Sequence, residues 1–144
     1  MNSPVRALRI MKVIFLVYSV LLVYRVMKMQ VHLHEPVNSA FEIAIGTIAL
    51  LCIVAGFYAP RALPRLAERR FPNAPTAIRL KQWTMANVLS MSCFMGSIMF
   101  GVVLHFVGAH AWLVGVLFGA GIASLAFASP GTPPVEDDGG PSQS

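Results

Sequence analysis

PRALPRLAERRFPNAPTAIRLK, residues 60–81, carries six of the eleven Lys and Arg residues of the chain, Arg61, Arg65, Arg69, Arg70, Arg79 and Lys81, against one acid, Glu68. Apolar halves flank it, residues 8–59 and 83–128, and each reads as a pair of hydrophobic helices too long and too sparsely charged for a soluble core. With Pro60, Pro64, Pro72 and Pro75 the basic stretch itself reads as a loop, in which residues 61–71 hold at most a short interfacial turn with arginines on lipid headgroups. The expected fold is an all-α membrane protein: a bundle of four transmembrane helices, residues 8–28, 38–58, 83–106 and 110–128, arranged as two antiparallel helical hairpins. Residues 1–129 then form one transmembrane domain.

Composition agrees with this reading. The 144 residues are 56% hydrophobic and 12% charged, whereas soluble domains are about 25% charged. A net charge of +5 invites a nucleic-acid reading, but the basic residues sit at the ends of apolar runs, where the positive-inside rule puts them. No nucleic-acid partner is expected. Cys52 and Cys93 lie inside apolar runs and read as small hydrophobes rather than a disulfide or a zinc motif.

Along the chain, Arg6, Arg9 and Lys12 precede the first span, and Lys12 is placed to snorkel to one interface and Arg25 to the other. Residues 31–37 form a short external loop, after which Asn38 or Ser39 caps the second helix. Pro60 ends that helix. Trp83 opens the third span at headgroup level, and Val107, Gly108 and Ala109 join it to the fourth in a tight hairpin. Residues 130–144, rich in Pro, Gly, Ser and acid, are expected to be a disordered tail. The Lys and Arg bias puts the basic loop and both termini in the cytoplasm, with the bacterial inner membrane as the setting.

Candidate functional groups are few. Glu42 is the one acid within a span, at a depth similar to that of Arg25, so an interfacial Arg25–Glu42 ion pair is expected, with ion handling by Glu42 as the alternative. Ala111, Gly115, Gly119 and Ala123 recur every four residues and are expected to receive Ser97 and Gly101 of the third span, or another subunit. The six basic residues of 60–81 are candidate contacts for anionic headgroups. His32, His34, His105 and His110 fall on the external side but lack a ligand spacing, and Met91, Met95 and Met99 read as packing rather than a copper path. No metal, cofactor or catalytic residue is assigned. The chain is not expected to be an enzyme, because it has neither a nucleophile elbow nor a phosphate-binding glycine loop.

Residues 80–112, LKQWTMANVLSMSCFMGSIMFGVVLHFVGAHAW, resemble the third span and following turn of a loosely defined group of short four-span bacterial membrane proteins of unknown function. The pattern rests on Trp83, Ser90, Gly101, Phe106 and Gly108. Some members are described as similar to subunit c of rotary ATPases. Members often carry an acid within this span where this chain has Met95, so the resemblance implies a helical bundle without the carboxylate that would carry a proton. The function expected from the whole sequence is that of a non-catalytic accessory or interaction subunit, whose partners are anionic lipid and another membrane protein or a second copy. The alternatives are a small oligomeric transporter or ion-handling protein, and a metal or haem carrier.

Overall fold

A computed structural model describes residues 4–29, 38–130 and 133–134. Among them there are four helices and no strand: α1 (Pro4–Lys28), α2 (Ser39–Arg70), α3 (Thr76–Val107) and α4 (Ala111–Phe127). The first three are long and apolar enough to cross a membrane. α4 is apolar but only 17 residues long, about 26 Å at the helical rise. Large apolar side chains face outward along the bundle, among them Ile14, Leu21, Ile43, Leu51, Val54 and Val116, as lipid as the surrounding solvent would favour. Residues 31–37, expected to form an external loop with His32 and His34, lie outside the described residues, as does most of the expected disordered tail.

The bundle is built around α3. It contacts each of the other helices, and α4 likewise touches all three, whereas α1 and α2 do not touch each other. The expected first hairpin is therefore absent as a packed unit: α1 and α2 are neighbours in sequence but lie apart in the bundle. Burial follows the same order, since 39% of the apolar window of α3 is covered against 11% of that of α1. Phe94, Ile98 and Leu104 of α3 and Val114, Phe118 and Leu125 of α4 fill the centre.

Pro60 does not end the second helix. α2 runs through Pro60 and Pro64 to Arg70, and α3 begins at Thr76, so the expected loop 60–81 shrinks to residues 71–75. A proline inside a helix leaves the carbonyl four residues earlier without its donor, here Gly56. That oxygen is taken by the hydroxyl of Ser90, which donates to it at 2.6 Å. A hydroxyl on a neighbouring helix is one of the ways a proline is tolerated within apolar surroundings. Gly56 also permits close approach, because a Cβ there would lie 2.5 Å from the ring of Phe94.

Other helix ends are settled locally. Asn38 caps α2 through its side-chain oxygen, which accepts from the Ala40 amide at 3.0 Å. Gly108, at φ 80°, turns the chain out of α3, and the amide of Ala109 donates back to the Leu104 carbonyl at 3.0 Å, the closure of a left-handed C-terminal cap. Lys12, expected to reach an interface, instead donates to the carbonyls of Ala126 and Ala128 at 2.8 and 2.7 Å. These are unpaired acceptors at the negative end of the α4 dipole, so the ammonium is stabilised there.

α2 and α3, at 32 residues each, are about 48 Å long and outrun α4 by about 20 Å. Their overhang is on one side. Gly56, Pro60 and Arg61 line a cavity of about 270 Å³ together with Asn87, Ser90 and the chain leaving α4 at Phe127. Beyond that level, residues 61–70 and 76–86 continue as a two-helix head with the 71–75 connector at its tip.

Candidate functional site

Three places hold the residues singled out by the sequence: a polar contact at one end of the bundle, an outward face of α4, and the basic head. At the first, Glu42 is only 7% exposed, and its Oε2 lies 2.8 Å from Nδ1 of His110, the residue that precedes α4. The contact works with the imidazole donating to a carboxylate or, after one proton moves, accepting from the carboxylic acid. Arg25 is not the partner. It stands exposed on α1, in an apolar groove with Tyr18, Val26 and Phe106. Because α1 and α2 do not touch, a similar depth in the two helices does not bring Arg25 and Glu42 together. Close by in the fold, Nε2 of His105 lies 3.2 Å from the carbonyl oxygen of Met29, so that an Nε2–H ties the end of α3 to the end of α1.

The α3–α4 seam is built from other α4 residues than the expected stripe. Ser97 is fully buried, and a Cβ on Gly101 would lie 2.8 Å from the Phe118 ring, which puts Gly101 on the seam. The buried residues of α4 are Val114, Leu117, Phe118, Gly121, Ser124 and Leu125, of which Phe118 and Leu117 lie against Gly101. The closest approach is at Gly121, where a Cβ would come within 2.5 Å of Ile98. Ala111, Gly115, Gly119 and Ala123 are exposed, and no atom lies within 4 Å of a Cβ built on Gly115 or Gly119. The correction has a simple geometric cause. The stripe is offset by one residue, about 100° around the helix, from the row of large side chains that fills the core.

Of the six basic candidates, Arg61, Arg65, Arg69, Arg70 and Lys81 are exposed on the head. Arg61 also reaches back to the Phe57 carbonyl at 3.4 Å. Arg79 is half-buried and donates to the Pro72 carbonyl at 2.7 Å, which fastens the connector at the tip. Trp83, expected at a lipid interface, is 4% exposed and lies inside the head, while Trp112 is 68% exposed. An indole points inward or outward according to helix phase, and at residue 83 the phase of α3 turns the ring into the head.

The methionine row divides among packing roles. Met91 is buried, Met99 is exposed, and the Met95 sulfur lies 2.9 Å from the oxygen of Ser19, whose one hydroxyl proton has the Phe15 carbonyl as its other acceptor at 2.7 Å. Cys52 and Cys93 are half-buried free thiols. Among the described residues no three His, Cys, Asp or Glu side chains converge as metal ligands would. Sequence reasoning missed the roles of Ser90, Gly121, Lys12 and His110. Only Ser90 had a legible clue: Pro60 predicts an orphan carbonyl at Gly56 and hence a donor somewhere opposite. No protein-family model, no curated protein and no solved structure matches the chain.

Proposed function

We propose that this chain is a multi-pass inner-membrane protein with four spans and cytoplasmic termini that works as a non-catalytic interaction subunit, joining a partner helix or a second copy through α4. One observation carries the reading. Ala111, Gly115, Gly119 and Ala123 form a smooth outward row on a helix whose opposite face already fills the core. In lipid, helices associate through close packing and hydrogen bonds rather than hydrophobic expulsion, and small residues four apart are the surface that permits it. The basic head on α2 and α3 would lie in the cytoplasm, its exposed arginines against anionic headgroups.

The test exploits the empty space beside the two glycines. Gly115→Leu and Gly119→Leu meet no atom of their own chain, so the helical fold and its melting should be retained while co-purification or cross-linking with the partner copy is lost. Unchanged association in both variants would overturn the reading. A second reading, ion handling, is favoured by the shielded Glu42 carboxylate and its His110 contact. Under that reading Glu42→Gln abolishes ion-dependent activity in reconstituted vesicles and leaves association intact, so the two are separable.

A further inference from the structure

The cavity of about 270 Å³ between α2, α3 and the chain leaving α4 holds an acceptor without a donor. Asn87, on its α3 wall, is only 3% exposed. The side-chain nitrogen donates to the Trp83 carbonyl at 2.8 Å, so the oxygen occupies the other arm of the planar amide. Among the described residues nothing donates to that oxygen. It retains accessible surface, unlike the fully enclosed orphan atoms Arg79 Nε, Trp83 Nε1 and Ser97 Oγ, and the cavity is what Asn87 borders. A second acceptor stands on the α2 wall. Pro64 has no N–H for the carbonyl of Pro60, a lining residue, and no described side chain donates there as Ser90 does to Gly56. Buried polar groups are nearly always paired, so the cavity suits a ligand that brings donors.

The charge around these acceptors is positive. Arg61 lines the cavity and is exposed, and its guanidinium is engaged only by the Phe57 carbonyl at 3.4 Å. Lys12 holds the carbonyl of Ala128, another lining residue, at 2.7 Å. No Asp or Glu borders the cavity. Phe57, Met91 and the exposed ring of Phe127 add apolar wall. Depth agrees with the chemistry: from Ser39 to Pro60 α2 rises about 32 Å, close to the thickness of a hydrocarbon core of about 30 Å, so the cavity lies at headgroup level.

We propose that this cavity is a binding site for one anionic phospholipid with a hydroxylated headgroup, of the phosphatidylglycerol type. Its phosphate meets Arg61 in a charge-assisted contact, its headgroup hydroxyls donate to Asn87 and to the Pro60 carbonyl, and its acyl chains leave past Phe57 and Phe127. The neutral hydroxyl is the donor that fits: an ammonium headgroup would bring a positive charge beside Arg61 and Lys12, and a bare phosphate ester would leave the two acceptors unpaired. This site rests on the proposed contact between the basic head and anionic headgroups, to which it adds one bounded position and a headgroup preference.

Native mass spectrometry of the full chain in mild detergent tests it, with dioleoyl phosphatidylglycerol, phosphatidic acid or phosphatidylethanolamine added in turn. One phosphatidylglycerol per chain should be retained severalfold more strongly than either of the others. Arg61→Gln and Phe127→Ala, both at exposed residues, should weaken that first lipid severalfold, whereas Arg69→Gln, the same change of charge farther out on the head, should not. Asn87→Leu should abolish the preference over phosphatidic acid, and the two surface variants decide the matter whether or not this buried substitution folds. Equal losses in Arg61→Gln and Arg69→Gln would leave the broad headgroup reading standing and overturn the bounded site. Equal retention of phosphatidylglycerol and phosphatidic acid would overturn the hydroxyl assignment and the proposal with it. Retention of no anionic lipid would overturn both readings and leave the cavity to water.

Discussion

Ser90 and Gly56, 34 residues apart in sequence, are joined by a 2.6 Å hydrogen bond that replaces the one Pro60 cannot make. The link explains how a helix with Pro60 and Pro64 in its interior continues to Arg70, and hence why the basic stretch is a two-helix head rather than a loop. Sequence pattern, serine chemistry and long-range architecture meet at this one contact.

Removing the donor should therefore depend on the proline. Ser90→Ala is expected to lose about 1 kcal/mol, typical of a buried acceptor left unpaired and of hydrogen bonds between membrane helices. In a Pro60→Ala background, where residue 60 again donates to Gly56, the same substitution should cost less than half as much. Reversible unfolding in detergent, followed by circular dichroism, measures the four variants of this cycle.

Gly56→Ala and Gly121→Ala should each destabilise by about 1 to 3 kcal/mol, the usual cost of forcing extra volume into a filled core. In both cases the added carbon would sit 2.5 Å from a fully buried side chain, Phe94 or Ile98. Gly115→Ala, in open space, should raise helix stability slightly or leave it unchanged. A comparison of melting temperatures decides the matter, and equal losses at 115 and 121 would mean that the α4 phase described above is wrong.

For the polar contact, His110→Ala should lower stability by about 1 kcal/mol, a magnitude kept small by the exposure of the imidazole to its surroundings. Arg25→Ala should stay within about 0.5 kcal/mol of the parent. The opposite ranking in the same unfolding assay would restore Arg25 as the partner of Glu42.

The placement of the head has its own test. Asn73 lies exposed in the connector at the tip, so Asn73→Cys should resist a membrane-impermeant thiol reagent applied to intact cells and react after the membrane is opened. Prompt labelling of intact cells would place the head outside.

Much of the architecture was legible because apolar length and charge placement are local properties. The existence of four helical segments, the Asn38 cap and the Gly108 turn follow from residues read in place. What lay hidden depended on how helices are rotated and which are neighbours. Ala111, Gly115, Gly119 and Ala123 announce a close-packing face, but only the phase of Val114, Leu117 and Phe118 against α3 shows that this face points away. The choice of His110 over Arg25 by Glu42 likewise follows from α1 and α2 lying apart. The four prolines of the head argued for a loop until the partner of one carbonyl was known.

The Lys12 ammonium and the carbonyls it holds are 114 and 116 residues apart, and this spacing bears on how the molecule is made. Of the four described helices, α1 gains no support from α2 and is fastened only through α3 and α4. A chain cut short before residue 126 would therefore leave Lys12 without the acceptors that tether α1 to the far end of the sequence.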